Sequence, residues 1–450
     1  MTTTNTRRYC GPAAGHRDSA GRSNLPTAGR LLRPVPVLLG LLFMLAGVTA
    51  CDNAATQVTS PAEPNPSTPG RSSALSSEAV EACQKVFART DASGTQIIVI
   101  WDATASVADM SFPAVLAEDL KAASLADGTL SIIAVDGKGV APRILAKNVA
   151  LSTSGERDRP SVAKLAEVMP DCVQAVYLNG LVPTAPGTDL HRAMALAAEI
   201  VQPDATLWTV SDMLSTAGQL VLTKDALSQP ADEAAKKAAA TAPIDLHDAV
   251  WQVSGVANAS TPLLGANQEW MRDFTRSLCR SWNAKGCAAI KLDPVNPVRT
   301  VAMLPKDPIP PFPSVAEATS ASSCSFTLPD VLTFAGGSAK LRRSADEVLA
   351  RPLALLEANP NATLRIVGHT ASSSAYTARE LMALSKARSE SVRDRILHAG
   401  IDEARVTTRG VGDTEPMAED IDPVTGLQIP EIAAAERRVD LTIKGAACSR

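Results

Sequence analysis

The chain has 450 residues, of which 45% are hydrophobic and only 3% are aromatic. Its length predicts two or three domains, and its composition predicts cores built mainly from Ala, Val, Leu and Ile. The formal net charge is −4 at pH 7, and it becomes more negative once the Arg-rich first fifty residues are set aside. Binding to nucleic acid or to an anionic bilayer surface is therefore disfavoured, because both need clustered Lys and Arg.

Residues 1–50 have the layout of a secretory signal peptide. Six Arg residues precede an apolar run at 35–50, which is too short for a comfortable membrane span. The run ends in Val48-Thr49-Ala50-Cys51, which resembles the bacterial lipobox and implies that Cys51 carries lipid, including palmitate, at the start of the mature chain. The alternative is an uncleaved anchor helix with an incidental Cys. The part before Arg33 is long for a signal, so a start codon further downstream is an open alternative.

Residues 51–79 are rich in Ala, Ser, Thr and Pro and predict a flexible linker, because they cannot bury enough apolar surface to fold. The expected location is the cell envelope, with a lipid anchor and the folded part facing the periplasm or the cell wall. Asp52 follows the lipidated Cys, and in enterobacteria this disfavours the outer membrane. That rule does not hold across bacteria, so the choice between inner and outer membrane stays open.

Residues 80–291 alternate short apolar runs with helical stretches. Strands are predicted at 95–101, 130–135, 144–151, 172–178, 206–210 and 249–256. Helices are predicted at 112–123, 162–168, 189–201 and 269–281, with a solvated helix around 232–237 in an insertion at 215–242. The near-continuous Ile and Val of the first strand indicates burial on both faces, so we expect an α/β domain with a parallel sheet covered by helices on both faces.

Polar residues follow the predicted strands, where parallel sheets bind ligands. Asp102, Thr104 and Ser106 alternate after the first strand, Thr188 precedes a helix, and Asp212 follows the strand at 206–210. This pattern resembles the von Willebrand factor A (VWA) domain, with its Asp-x-Ser-x-Ser, a distant Thr and an Asp after the fourth strand. The resemblance implies a Rossmann-like VWA fold whose metal-ion-dependent adhesion site comprises these five residues.

Carboxylates, hydroxyls and water form the oxygen shell that Mg²⁺ prefers, and an open position can accept a carboxylate from a protein partner. Two alternatives remain: a VWA-type scaffold without metal, and another Rossmann-like domain in which Asp102 caps a helix. Nucleotide binding lacks support, because no Gly-x-Gly-x-x-Gly or Walker loop follows a strand. His191 and His247 lack further ligands at the spacing of a zinc site.

Residues 292–323 contain seven Pro residues, which predict an extended, semi-rigid linker between two domains. Residues 324–450 then predict a strand at 331–334, a helix at 344–358, a strand at 364–370, a helix at 379–399 and a last strand at 437–443. Gly368-His369-Thr370, Leu384-Ser385, Arg388 and Arg437-Arg438-Val439 resemble the OmpA-like peptidoglycan-associated family. The resemblance implies an α+β domain with helices on one face of a small mixed sheet.

The same resemblance implies peptidoglycan binding through Thr370, Ser385 and Arg388. In the family, an Asp after Gly-His-Thr and the Arg of Leu-Ser-x-x-Arg together hold diaminopimelate, but the Asp is Ala371 here. Losing one partner of a charged pair typically costs a few kcal/mol, so an OmpA-like fold without wall binding is the alternative. Glu436 and Glu380 are candidates for the missing acid, although nothing in the sequence places either one there.

Six Cys residues remain after Cys10 and Cys51, and an even number in an exported chain predicts structural disulfides. Cys324 and Cys448 bracket the C-terminal domain and are predicted to pair. The pairing of the other four is left open among its three possibilities; they are Cys83, Cys172, Cys279 and Cys287.

These features predict a non-enzymatic envelope lipoprotein that tethers or scaffolds. Its expected partners are peptidoglycan, an unidentified envelope protein bound through Mg²⁺, and the membrane through lipid. The alternative is an assembly accessory of a secretion or transport system in which neither ligand site is occupied. An envelope hydrolase is a third reading, which is disfavoured because there is no Gly-x-Ser-x-Gly and Ser106 has no evident base.

Overall fold

The computed structural model describes residues 75–107, 112–153, 159–292, 304–320 and 322–446. Within these ranges the first sheet has the strand order β3-β2-β1-β4-β5. Its strands are β1 (Gln96–Trp101), β2 (Thr129–Ala134), β3 (Arg143–Ala150), β4 (Thr206–Val210) and β5 (Val250–Ser254). The order places β1 at the centre, where its Ile and Val side chains are buried on both faces.

Helices cover both faces of this sheet, as predicted. They are α1 (Ser77–Phe87), α2 (Ala114–Leu125), α3 (Arg159–Val173), α4 (Leu190–Ala198), α5 (Lys224–Leu227), α6 (Ala231–Thr241) and α7 (Gly265–Ser281). Ile98 and Ile100 pack with residues of α4, α6 and α7, whereas Ile97 and Val99 pack with residues of α1, α2 and α3. Alternate side chains of one strand therefore serve two separate cores.

Two predictions for this region are wrong. The sheet is mixed rather than parallel, because β3 at its edge pairs antiparallel with β2. The run at 172–178 is helical: α3 continues to Val173 and a π-helical turn follows at Gln174–Leu178. Met169, Cys172 and Val173 are buried at helical spacing, and a short apolar run of this kind does not distinguish a strand from a buried helix.

A second sheet has the order β6-β7-β10-β8-β9 within the described residues. Its strands are β6 (Ala316–Thr319), β7 (Ser323–Pro329), β8 (Thr363–Gly368), β9 (Val406–Gly410) and β10 (Arg438–Lys444). Only β8 and β9 pair in parallel. The accompanying helices are α8 (Asp330–Thr333), α9 (Ala345–Ala358), α10 (Ala378–His398) and α11 (Pro430–Glu436). One buried core unites alternate residues of β7, β8 and β10 with residues of α9 and α10.

The second sheet corrects two further predictions. Residues 331–334 belong mainly to helix α8, and the strand is β7, where Cys324, Phe326 and Leu328 alternate toward the core. The linker predicted at 292–323 is partly a strand, because its residues 316–319 form β6 and pair with β7. Helix α1 likewise begins at Ser77, inside the linker predicted to end at 79.

The two sheets belong to one compact unit. Ala266 at the start of α7 packs into the core of the second sheet, and the Gly265 N–H donates to Glu347 Oε2 of α9 at 2.5 Å. Arg342 lies 3.7 Å from Asp273 of α7. The predicted separation of the two halves by an extended linker is therefore replaced by direct packing.

Two disulfides resolve the pairing that the sequence left open. Cys83 of α1 pairs with Cys172 of α3, and Cys279 of α7 pairs with Cys287. Cys324 is disulfide-bonded, while its predicted partner Cys448 lies outside the described residues.

The predicted signal peptide and the lipidated Cys51 also lie outside the described residues. Among the helices that are described, none combines the length and the apolar character needed to cross a bilayer.

Candidate functional site

The first candidate site lies at the carboxyl ends of β1 and β4. Asp102 follows β1 directly and is buried, and its backbone N–H donates to Val210 O at 2.9 Å. Its Oδ2 accepts a hydrogen bond from Ser211 Oγ at 2.7 Å. Its Oδ1 accepts from the Thr104 backbone N–H at 3.0 Å and from Thr104 Oγ1 at 2.6 Å. The Asp102 carboxylate thus joins the two strand ends.

The structure brings three hydroxyl groups together beside this carboxylate. Thr104 Oγ1 lies 2.7 Å from Thr188 Oγ1 and 3.4 Å from Ser106 Oγ. Thr188 is held there by Asp136, which follows β2: the Asp136 carbonyl accepts from Asp189 N–H at 2.9 Å. The Asp136 carboxylate also accepts from the backbone N–H groups of Thr184 and Ala185 in the same loop.

Asp212 completes the set of five predicted residues. It is fully buried, and its Oδ1 accepts from the Leu214 N–H at 2.9 Å. Its Oδ2 is buried and receives no hydrogen bond of ordinary geometry from the described residues. A buried carboxylate oxygen of this kind is costly, and the nearby Ser106 side chain only partly offsets the effect of burial on the pKa of Asp212.

Electrostatics also favour a cation here. Burial raises the pKa of Asp102 above its usual range, although the hydrogen bonds from Ser211 and Thr104 act in the opposite direction. Burial, followed by the nearby charge of Asp102, raises the pKa of Asp212 well above its usual value. A bound cation would remove this penalty, because an opposite charge favours the ionised form of both groups.

A further acidic residue was missed by the sequence analysis. Asp307 comes from the Pro-rich segment, and its Oδ2 accepts from Thr188 Oγ1 at 2.5 Å. Its Oδ1 accepts from Thr216 Oγ1 at 2.7 Å. The charge of Asp307 contributes to the raised pKa of both Asp102 and Asp212. No spacing rule connects residue 307 to this site, so only the folded chain identifies it.

The donor set fits a small divalent cation. With the carboxylates ionised, the single hydroxyl hydrogen of Thr104 is committed to Asp102 and that of Thr188 to Asp307. The two hydroxyl oxygens are then 2.7 Å apart with no hydrogen atom between them. Their lone pairs are free to bind a cation, and oxygen atoms are the ligands that Mg²⁺ prefers. In the described ranges no three His, Cys, Asp or Glu side chains converge as a metal site by themselves, so the hydroxyl groups are essential to this fit.

The second candidate site surrounds Arg388 of α10. Its side chain is buried, with 2% exposed, and its Nη2 lies 2.9 Å from Asp330 Oδ1. Its Nε donates to Ser338 O at 3.1 Å, and the guanidinium lies 5.3 Å from the centre of the Phe334 ring. The predicted ligand-binding Arg is therefore already paired with an acid, Asp330, which the sequence analysis did not single out.

Thr370 and Ser385 occupy structural positions near the same helix. Ser385 Oγ accepts from the Gly412 N–H at 2.8 Å and donates to Met382 O. The Thr370 N–H donates to Gly412 O at 2.9 Å, while its buried Oγ1 has no partner among the described residues. Helix α10 approaches the sheet so closely that a Cβ at Gly368 would lie 2.1 Å from Ser385 O, which explains the Gly of Gly368-His369-Thr370.

The acids suggested as substitutes for the missing Asp are used elsewhere. Glu436 forms an ion pair with Arg438 at 2.8 Å and accepts from two backbone N–H groups, and Glu380 caps α10 through Thr377. Ala371 itself is buried. A different acid, the buried Asp420, lies beside this part of the chain. Its Oδ2 accepts a hydrogen bond at 2.9 Å from the backbone N–H of Ser372, the residue after Ala371.

Three Arg side chains act on the buried carboxyl of Asp330. Burial raises the pKa of Asp330, while the charges of Arg388, Arg437 and Arg342 oppose that rise. Burial lowers the pKa of Arg437, and no carboxylate among the described residues lies within ion-pair distance of it. A cavity of about 560 Å³ opens beside this cluster, and Asp330, Arg438 and Lys224 are among its lining residues.

Comparison with known proteins finds similarity over part of the second half of the chain. The model of the OmpA family matches residues 333–425. These residues form an OmpA-family domain. The chain is 26% identical over 129 residues to a probable lipoprotein, YiaD, of Escherichia coli K12, and this match covers 29% of the chain and 55% of the relative. The chain thus spans about half the length of that curated relative.

Two solved structures are also similar to the OmpA-family domain. The cell wall anchor of the T6SS from Pseudomonas aeruginosa is 27% identical, with 29% of this chain and 87% of that chain covered and a TM-score of 0.25. The peptidoglycan-associated lipoprotein from Burkholderia pseudomallei is 22% identical, with 26% and 89% covered and a TM-score of 0.22.

Proposed function

We propose that this chain is a non-enzymatic lipoprotein of the bacterial cell envelope whose OmpA-family domain binds peptidoglycan. Support comes from the family match over residues 333–425 and from the similarity to a probable lipoprotein. The observation that carries the proposal is that Arg388 and Arg437 both act on the buried Asp330, while Arg437 has no carboxylate within ion-pair distance among the described residues. Such a site suits the carboxylate of a wall peptide.

Asp420 supplies the negative charge that Ala371 lacks in this proposal. Its carboxylate accepts from the backbone of Ser372, one residue beyond Ala371, and its charge acts on Arg437. An ammonium group and a carboxylate of one ligand could then be held by Asp420 and Arg437 respectively. A wall peptide containing diaminopimelate offers both groups.

Sedimentation of the full chain in detergent with diaminopimelate-type peptidoglycan tests this proposal. The wild type should sediment with the wall, and Arg437→Ala and Asp420→Asn should each reduce the bound fraction by about tenfold or more, as expected for loss of a charged partner. Arg379→Ala, at an exposed position of α10, is the control and should bind like the wild type. A wild type that stays in the supernatant would refute wall binding.

Ala371→Asp adds a second arm to this experiment. If Asp420 already replaces the family acid, the new carboxylate should change wall binding by less than threefold or so, because the ammonium needs only one strong partner. If only Ala371→Asp sediments, the domain keeps the fold without the ligand, and the protein acts as an assembly component instead.

We further propose that the first sheet is a VWA-like module that binds a divalent cation, with Mg²⁺ held by Asp102, Thr104, Ser106, Thr188 and Asp212. The central position of β1 and the convergence of these side chains at the strand ends support this. The cation would supply a positive centre for an acidic group of an envelope protein. Isothermal titration of the full chain with Mg²⁺ tests the site: the wild type should bind, and Asp212→Asn should not.

Lipidation at Cys51 is the remaining part of the proposal, and it is supported by the lipobox-like sequence that ends there. Labelling of cells with a palmitate analogue should mark the wild-type chain and leave Cys51→Ser unmarked. Labelling that persists in Cys51→Ser would refute it.

A further inference from the structure

The Pro-rich segment brings its own acid to the candidate cation site. Asp307 accepts hydrogen bonds from Thr188 and Thr216 through separate oxygens, and the preceding residue continues the contact, because Lys306 O accepts from the Gly187 N–H at 3.0 Å. Three hydrogen bonds therefore fix two consecutive residues of the segment onto two loops, the one that carries Gly187 and Thr188 and the one that carries Thr216.

The same segment packs on both halves of the molecule. Ile309 and Phe312 pack against the core of the first sheet, Val315 packs against the core of the second, and β6 continues into the second sheet. Pro308, Pro310, Pro311 and Pro313 limit the backbone freedom of this stretch. The position of Asp307 is thus tied to the packing of the two halves.

The site has a place for this acid. Asp212 Oδ2 is buried without a donor, and the Thr104 and Thr188 hydroxyl oxygens face each other at 2.7 Å. A cation that contacts these oxygens from one side would satisfy them together. Asp307 contacts Thr188 directly and is half-buried.

We propose that Asp307 is an internal acidic ligand of the divalent-cation site, so that cation binding holds residues 306–313 closed over the strand ends. This inference rests on the cation site proposed above. Linkage requires reciprocity: the factor by which Asp307 strengthens cation binding is the factor by which the cation favours the closed segment. We expect that factor to be about tenfold, the size typical for a residue that supports a metal centre.

Tryptic cleavage after Lys306 reports opening of the segment, because Lys306 is exposed and precedes Asp307. The full chain is digested in detergent with Mg²⁺ or with EDTA, and the rate at this bond is measured by mass spectrometry. Isothermal titration with Mg²⁺ is run on the same samples. The ratio of the two rates is compared within each variant, so that any effect of residue 307 on intrinsic cleavage cancels.

Mg²⁺ should slow cleavage of the wild type about tenfold. In Asp307→Asn, Mg²⁺ should give no protection, and the affinity for Mg²⁺ should be about tenfold lower than in the wild type. Asp171→Asn, an exposed position on α3, should behave like the wild type. If Asp307→Asn binds Mg²⁺ and is protected equally, the inference is overturned while the cation site stands. If the wild type binds no Mg²⁺, both the cation site and the role of Asp307 are refuted, and the wall-binding proposal is unaffected.

Discussion

Arg388 and Asp330 form a buried ion pair, with Nη2 and Oδ1 2.9 Å apart and with 2% and 14% of the two side chains exposed. Arg388 comes from α10, whereas Asp330 begins α8 directly after strand β7. The pair joins the first strand after the Pro-rich segment to the helix that carries the family motif.

Removal of one partner of this pair should be costly. Asp330→Asn leaves the Arg388 guanidinium buried without a carboxylate, so the free energy of unfolding should fall by about 3–5 kcal/mol. Arg395→Ala removes an ion pair with Asp346 on the exposed face of the same helix and should have a much smaller effect. Chemical denaturation of both variants measures this, and equal losses would contradict the assigned role of the buried pair.

The close contact between β9 and α10 predicts the effect of a single methyl group. A Cβ at Gly410 would lie 2.3 Å from Lys386 N and 2.5 Å from its Cα, and both are backbone atoms that cannot turn away. Gly410→Ala should therefore destabilise the domain by about 1–3 kcal/mol, the usual cost of overpacking. Thermal unfolding followed by circular dichroism measures the change, and an unchanged midpoint would show that the helix moves freely.

The two disulfides should differ in what they contribute. Cys83 and Cys172 are separated by 89 residues and Cys279 and Cys287 by only 8, and the closed loop restricts the unfolded chain more when it is longer. Chain entropy gives about 4–5 kcal/mol for the first and about 2–3 kcal/mol for the second. Denaturation of the two double Cys→Ala variants measures the free energy of unfolding that each loses. A larger loss for the variant without Cys279 and Cys287 would contradict this order.

Asp440 should make the OmpA-family domain more stable at neutral than at acidic pH. Burial opposes its ionisation, but His369 Nε2 at 3.2 Å, together with Arg438 and Thr327, outweighs it and lowers the pKa of the carboxyl. Because the folded pKa is below the unfolded one, this stabilisation is present above about pH 4 and is lost as the pH falls through the folded pKa.

Asp440→Asn should remove this part of the pH dependence. Unfolding free energies of wild type and variant, measured at pH 7 and near pH 3, should differ more at the higher pH. Asp402→Asn, at an exposed position, is the control. A difference that stays constant across this range would show that the charge of Asp440 does not stabilise the fold.

Local pattern determined much of the architecture. The Ile and Val run of β1 predicted a central strand with helices on both faces, and the motif from Gly368 to Arg388 predicted a strand, a loop and a helix that the structure contains. The polar residues after β1 and the Thr before α4 were also expected to meet, and Asp102, Thr104 and Thr188 do so. Their role in binding a metal stays a prediction. These features could be predicted because side-chain periodicity and strand direction are properties of short segments.

Only the tertiary structure decided which distant residues meet. Asp307 contacts Thr188 across 119 positions of sequence, Arg388 pairs with Asp330, and Cys83 pairs with Cys172. The helical state of 172–178 and the antiparallel edge strand β3 also depend on packing. No short-range pattern encodes such contacts, because the free energy that selects them comes from burying side chains of several elements together. The acids nearest to both candidate sites therefore became evident only in the folded chain.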